Sequence, residues 1–209
     1  MASSKQLIQD TAVRLFNERG YDKVSLRDIA REAGVAIGSL TYHFRRKEDL
    51  LDAILADLHG GFEEALDRGL RGDELLANLV GLFAANEDNQ ARYPFYFADI
   101  TQVAGCSEHV AEEARRFEGD LYAYYRWCLG TLAEDGILRQ GHTTARLDAL
   151  AYALVTMQAG WAMGAGPYAN GIEPKTGVAT ALAAILSACL EADVIPAFEE
   201  LCAGRGISL

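Results

Sequence analysis

The sequence predicts an all-α protein: an N-terminal three-helix helix-turn-helix domain, followed by a larger helical domain, with about nine helices in all. Three observations carry this. Apolar residues recur at the helical period of about 3.6 along nearly the whole chain, and no run of alternating β-branched residues appears, which argues against parallel-sheet enzymes. Around Ala30, Gly34 and Leu40 two short helices meet at a glycine, the spacing of a helix-turn-helix. The charge is segregated: residues 1–47 carry nine Lys/Arg against five Asp/Glu, and the remainder carries 10 against 25.

The first helix is predicted over 4–19, with Ile8, Ala12, Leu15 and Phe16 on one face and Gly20 ending it. Ser25 and Asp28 form a capping-box start for a helix of about two turns, buried through Leu26, Ile29, Ala30 and Ala33 and broken at Gly34. A second short helix over about 36–43 leads through Arg45, Arg46 and Lys47 into a longer one, whose opening Glu48 and Asp49 suit the positive end of a helix. Further helices are predicted at about 47–69, 72–86, 90–104, 107–135, 143–165 and 175–203. The breaks are read at Gly69–Gly72, Glu87–Asn89, Gly105, Gly136–Gly141 and Gly164–Pro174.

A chain of 209 residues, 50% apolar and 23% charged, can build a core without staples, which excludes disordered and collagen-like classes. Cys106, Cys128, Cys189 and Cys202 have neither CxxC nor metal-ligand spacing and read as isolated thiols in a reducing cytoplasm. No export signal is read at the N-terminus. The uncharged stretch 149–172 includes Thr156, Gln158, Pro167 and Asn170 and reads as a buried helix rather than a membrane span, so no membrane partner is expected. The glycine-rich GAGPYANG at 164–171 lacks phosphate-loop spacing. No metal, cofactor or catalytic site is expected, because HExxH, GxSxG and phosphate-loop patterns are absent, and His59, His109 and His142 are scattered singly. The basic head on an acidic body suggests that the head meets an anion. The acidic total rules out a protein that coats nucleic acid over its whole surface.

Ala30 lets the second motif helix approach closely, Gly34 permits the turn, and Val35 and Leu40 bury its inner face so that the outer face projects. Helical hairpins in general carry such glycines too. The stretch VSLRDIAREAGVAIGSLTYHFRRKEDLLDAI, residues 24–54, resembles the helix-turn-helix of TetR-family transcriptional regulators, with Gly34, Val35, Gly38, Leu40, His43, Phe44, Lys47, Glu48 and Leu50 as matching anchors. The resemblance implies a DNA-binding domain at 1–47 and an effector-binding and dimerisation domain at 48–209. It implies a homodimer, usually a repressor, whose partners are double-stranded DNA and a small-molecule effector.

Carried over residue by residue, Ser25, Arg27, Tyr42 and Lys47 would hold phosphates, while Ile37, Gly38, Ser39 and Thr41 would face base edges. Four positions depart from the family pattern. Ala36 stands where a capping Ser is common, Thr41 where an aromatic is common, and Arg45 and Arg46 add charge before the fourth helix. Those arginines also read as a solvated charge run, and His43 as a structural histidine beneath the motif.

In the second domain, Leu147, Leu150, Leu154, Met157 and Trp161 share a helical face. The last helix carries Val178, Leu182, Ile185 and Cys189 together with small residues Ala181, Ala184, Ala188 and Ala192. These helices can pack within one subunit or against their copies. On the long helix Val110, Ala114, Phe117, Leu121, Tyr124 and Cys128 form an inward stripe, leaving Tyr122 and Tyr125 beside it. Phe95, Tyr96, Tyr122, Tyr125, Gln158 and Trp161 are the candidate lining of a pocket for a hydrophobic or aromatic effector, with plain packing as the alternative for each. The competing function is a helical small-molecule carrier or interaction protein whose helix-turn-helix is only structural.

Overall fold

A computed structural model describes residues 3–63, 65–98, 103, 105, 108–162 and 176–209. Among them the chain is all-helical: α1 Ser4–Arg19, α2 Leu26–Glu32, α3 Ile37–His43, α4 Lys47–Glu63, α5 Gly72–Arg92, α6 Pro94–Phe97, α7 Glu108–Glu134, α8 Thr144–Gly160, α9 Val178–Ser187 and α10 Ile195–Ala203. A single antiparallel bridge, Leu138 with Leu190, ties the α7–α8 loop to the α9–α10 loop. The 164–174 break, the GAGPYANG stretch, Cys106 and the end of the uncharged segment lie outside the described residues. No described helix is long and apolar enough to cross a membrane.

Several predicted boundaries move for identifiable reasons. The break expected at Glu87–Asn89 is absent, because α5 runs continuously through Arg92, and residues 99–102 and 104 of the helix expected over 90–104 lie outside the described residues. Glu87 and Asp88 are exposed there, so their polarity marks a solvent face rather than a break. The chain turns instead at Tyr93, where Pro94 disfavours helical backbone in the residue before it. The helix expected over 175–203 is two helices, because α10 begins afresh with Pro196 in its first turn, a position where the missing proline N–H costs nothing. Its partner α9 is capped from a distance: Glu87 accepts the Ala179 N–H at 3.0 Å, and a Cβ on Gly177 would collide with that carboxylate. The fourth helix ends at Glu63 and the eighth at Gly160, both short of their predicted ends.

Two apolar cores form. One gathers Ile8, Ala12, Leu15 and Phe16 of α1, Ile29 and Ala30 of α2, Leu40 of α3, Leu50 to Leu58 of α4, and then Tyr93, Tyr96, Phe97 and Val110. The other is built on α5, α7, α8, α9 and α10 and begins at Phe62. Packing therefore carries the first half of α4, and α6 with it, into the core of the N-terminal domain, well past residue 47. The inward stripe of α7 is buried as expected. Tyr125 is fully buried as well, rather than standing to one side.

Candidate nucleic-acid interface and effector cavity

The turn between α2 and α3 is set by Gly34 at φ 67°, left-handed backbone that a side chain strains. The Val35 N–H returns to the Ala30 carbonyl at 3.0 Å. Ser25 accepts the Asp28 N–H at 3.2 Å and gives its hydroxyl proton to Asp28 Oδ2 at 2.5 Å, while Asp28 accepts the Ser25 N–H at 3.1 Å. This hydroxyl, expected at a phosphate, is occupied as a cap of α2. Arg27 is exposed on the same helix.

Helix α3 anchors through Leu40, fully buried, while Ile37 is 44% exposed and Tyr42 84%. Gly38 faces open space, so the helix surface is cut down to backbone there and another molecule can approach closely. Ser39 is exposed beside it. The Thr41 hydroxyl donates to the Ile37 carbonyl at 3.0 Å, which commits its polar atom to the helix and leaves the methyl as its outward chemistry. The helix has no side-chain cap at Ala36. His43, expected beneath the motif, is instead exposed, its ring edge-on to Tyr42 at 5.3 Å.

Beyond α3 the basic residues divide. Arg45 is exposed. The Arg46 guanidinium donates to Asp49 at 2.9 and 3.2 Å, while Asp49 also accepts the Arg46 N–H at 3.0 Å and so closes the start of α4. This pairing holds the Asp49 carboxyl below its ordinary range. Lys47 turns inward: its Nζ donates to the carbonyls of Tyr21 at 3.0 Å and Val24 at 3.2 Å and lies 4.0 Å from the centroid of the Tyr21 ring. These two bonds fasten the α1–α2 loop to α4.

Where α4 leaves the first core and joins the second, a narrow cavity opens, lined by Leu58, His59 and Phe62 of α4, Asn86 of α5, Tyr96 and Phe97 of α6, Phe117, Glu118 and Leu121 of α7, and Val155, Gln158 and Ala159 of α8. Its space for water-sized occupants is only about 30 Å³. Tyr96 and Gln158 of the expected lining are there. Tyr125 joins through Gln158, donating to its Oε1 at 2.6 Å, and the Gln90 amide reaches the Gln158 carbonyl at 2.8 Å. Phe95 lies instead against Phe16 at 5.2 Å, and Tyr122 and Trp161 pack on the second core.

The sequence reading missed His59, read there as a surface or satisfied residue. It is 5% exposed, its ring lies parallel to Phe117 at 4.3 Å, and its Nε2 is buried with no hydrogen-bond partner. Burial pushes its pKa down to about 4 despite Glu63 and Glu113 nearby. A helical position among Leu55, Leu58 and Phe62 was the available signal. No group of three or more His, Cys, Asp or Glu is arranged for a metal among the described residues.

A closed three-helix core that projects an aromatic and an aliphatic side chain from a second motif helix defines a helix-turn-helix protein with a helical companion domain. Residues 8–54 match the family described as bacterial regulatory proteins, tetR family. The transcriptional repressor KstR2 of Mycolicibacterium smegmatis is 30% identical over 122 residues, 56% of this chain and 60% of the relative, so the match spans three-fifths of that protein's length. Two solved structures share the fold over nearly the whole chain. A TetR-family regulator from Marinobacter aquaeolei superimposes with a TM-score of 0.77 at 17% identity, covering 98% of this chain and 99% of its own. A complex of SmeT with triclosan gives 0.66 at 20% identity, covering 92% and 94%.

Proposed function

We propose that the protein is a ligand-responsive transcriptional repressor that binds a near-palindromic operator as a homodimer and is released by a small hydrophobic or aromatic effector. The observation that carries this is the outer face of α3: Ile37 and Tyr42 stand exposed on a seven-residue helix whose inner face is locked by Leu40. Ile37, Ser39, the Thr41 methyl and an open Gly38 suit thymine methyls and base edges in a major groove, and the exposed Tyr42 suits a phosphate beside it. Exposed Arg27 and Arg45, with Lys47, are the basic groups this reading assigns to the flanking phosphates. No arginine of α3 itself is available for paired guanine contacts.

The dimer reading rests on α8 and α9. Their inner faces are spent within the subunit through Leu147, Leu154, Val178 and Leu182. Exposed Ala149, Tyr152, Ala153 and Thr156 of α8, with Ala184 of α9 and Ala188 just after it, leave an uncharged, close-packing face for a second copy. Two copies of α3 must lie about 34–36 Å apart, or a multiple, to enter successive major grooves.

The cavity joins the two activities. It is walled by α4 and α6, whose Leu58, Tyr96 and Phe97 also belong to the core beneath α3. An occupant larger than a water or two must part these walls, and the movement passes to the α3 spacing. The triclosan complex of SmeT supports an aromatic occupant for this fold. The test is selection from a pool of random duplexes at low salt. The reading expects enrichment of an inverted repeat, protected as two half-sites one or two turns apart. Recovery of unenriched sequence would leave the helix-turn-helix a packing element.

A further inference from the structure

Resting on the effector reading above, we infer that the cavity is built for an aromatic amine in its protonated form and selects against carboxylates and other anions. Among the described lining residues the only charged side chain is Glu118, and the only other titratable groups are His59 and the Tyr96 phenol. No lysine or arginine reaches the lining. Nearby Arg116, which lines an adjoining hollow together with His59, is engaged by carboxylates, 2.7 Å from Glu113 and 3.2 Å from Glu63.

The second observation is His59. It is 95% buried, its Nε2 lacks a hydrogen-bond partner, and its stacking on Phe117 fixes the ring in the wall. A buried polar atom left unpaired costs free energy, so a ligand group that pairs with it binds better than an apolar one of the same shape. A neutral imidazole offers one donor and one acceptor nitrogen and no net charge to neutralise an anion, so His59 rewards a polar ligand group and the sign of the charge is set by Glu118.

The rest of the wall suits a cationic aromatic. Phe62, Phe97, Phe117 and Tyr96 present ring surfaces, and ring faces attract cations. Glu118 lines the cavity and is exposed as a whole residue, so it stands where the cavity meets solvent, and partial burial of its carboxyl raises its pKa. An ammonium there meets a carboxylate, and a carboxylate there meets like charge. The Asn86 and Gln158 amide oxygens already accept from Gln90 and Tyr125, which holds both side chains in the wall.

The test uses three probes of one shape, 2-naphthylmethylamine, 2-naphthylmethanol and 2-naphthoate, titrated at pH 7 into the full chain and into Glu118→Gln by calorimetry, with operator release read separately by anisotropy. The amine should bind at least about tenfold more tightly than the naphthoate, the worth of a charge-assisted contact. Glu118→Gln should cut amine affinity about tenfold and leave the alcohol unchanged, which also shows that the variant is folded. Naphthoate binding as tightly as the amine, or an undiminished amine preference in Glu118→Gln, overturns the charge selectivity while leaving an effector site in place. Binding of none of the three overturns the site itself. Binding without operator release overturns the effector reading and leaves the selectivity standing.

Discussion

At position 59 a neutral imidazole lies flat on Phe117 in the wall between the two cores. Desolvation depresses its pKa from an ordinary 6.5 to about 4. Between those values the unfolded chain binds the proton and the folded one does not, so stability rises with pH across this window, and below it the whole penalty is present. The shift corresponds to about 3 kcal/mol lost between pH 7 and pH 4. Urea unfolding of the wild type against His59→Phe should show that loss in the first and not in the second. Parallel acid dependence in the two would show that another group controls it. Lys47 poses a choice between fastening the fold and holding DNA. With two carbonyls and the Tyr21 ring on its ammonium, Lys47→Met should cost about 1–3 kcal/mol of stability, and chemical denaturation measures it. A variant as stable as wild type would return the residue to a phosphate role.

Helix by helix, what was legible depended on whether the signal was local. The short α2 and α3 were readable because a capping box and a left-handed glycine act within a few residues. The run through Glu87–Asn89 misled because polar residues punctuate a helix only when they reach its buried face, and Glu87 and Asp88 do not. Pro196 was visible but outweighed by the apolar periodicity on either side of it. The cap that Glu87 gives α9 spans 92 residues of sequence and left no local trace. In the candidate cavity, Tyr96 and Gln158 were found from aromatic and amide content, whereas Phe95 was misplaced because, in the same core as its neighbour Tyr96, it turns to Phe16 of α1 while Tyr96 turns to His59. The unfilled cap at Ala36 carries its own prediction. Ala36→Ser should stabilise the protein by about 1 kcal/mol, read as a higher denaturation midpoint at unchanged slope. No gain would mean that the α3 N-terminus is already satisfied by water.

Across the molecule, charge and packing divide the chain at different places. Charge changes sign near residue 47, with the head basic and the remainder strongly acidic, whereas the first apolar core continues to Leu58 and borrows Tyr93, Tyr96 and Phe97 from beyond it. An acidic body repels DNA everywhere except at the basic head, which orients the encounter. A shared core makes the head sensitive to whatever moves α4 and α6. Further ties run from α1: Asn17 donates to the Arg92 carbonyl at 3.0 Å and accepts the Phe95 N–H at 3.2 Å, and Gln9 donates to Asp57 at 2.9 Å. The central claim is that this head reads DNA through the outer face of α3. Its most direct test is fluorescence anisotropy on DNA from upstream of the protein's own gene, over a salt series, with wild type and Tyr42→Ala side by side. The account predicts sub-micromolar binding that weakens steeply with salt, as release of counterions from several phosphates requires, and that falls at least about tenfold in Tyr42→Ala. Absence of binding at low salt, to this DNA and to a random pool alike, or equal affinity in the variant, would contradict it.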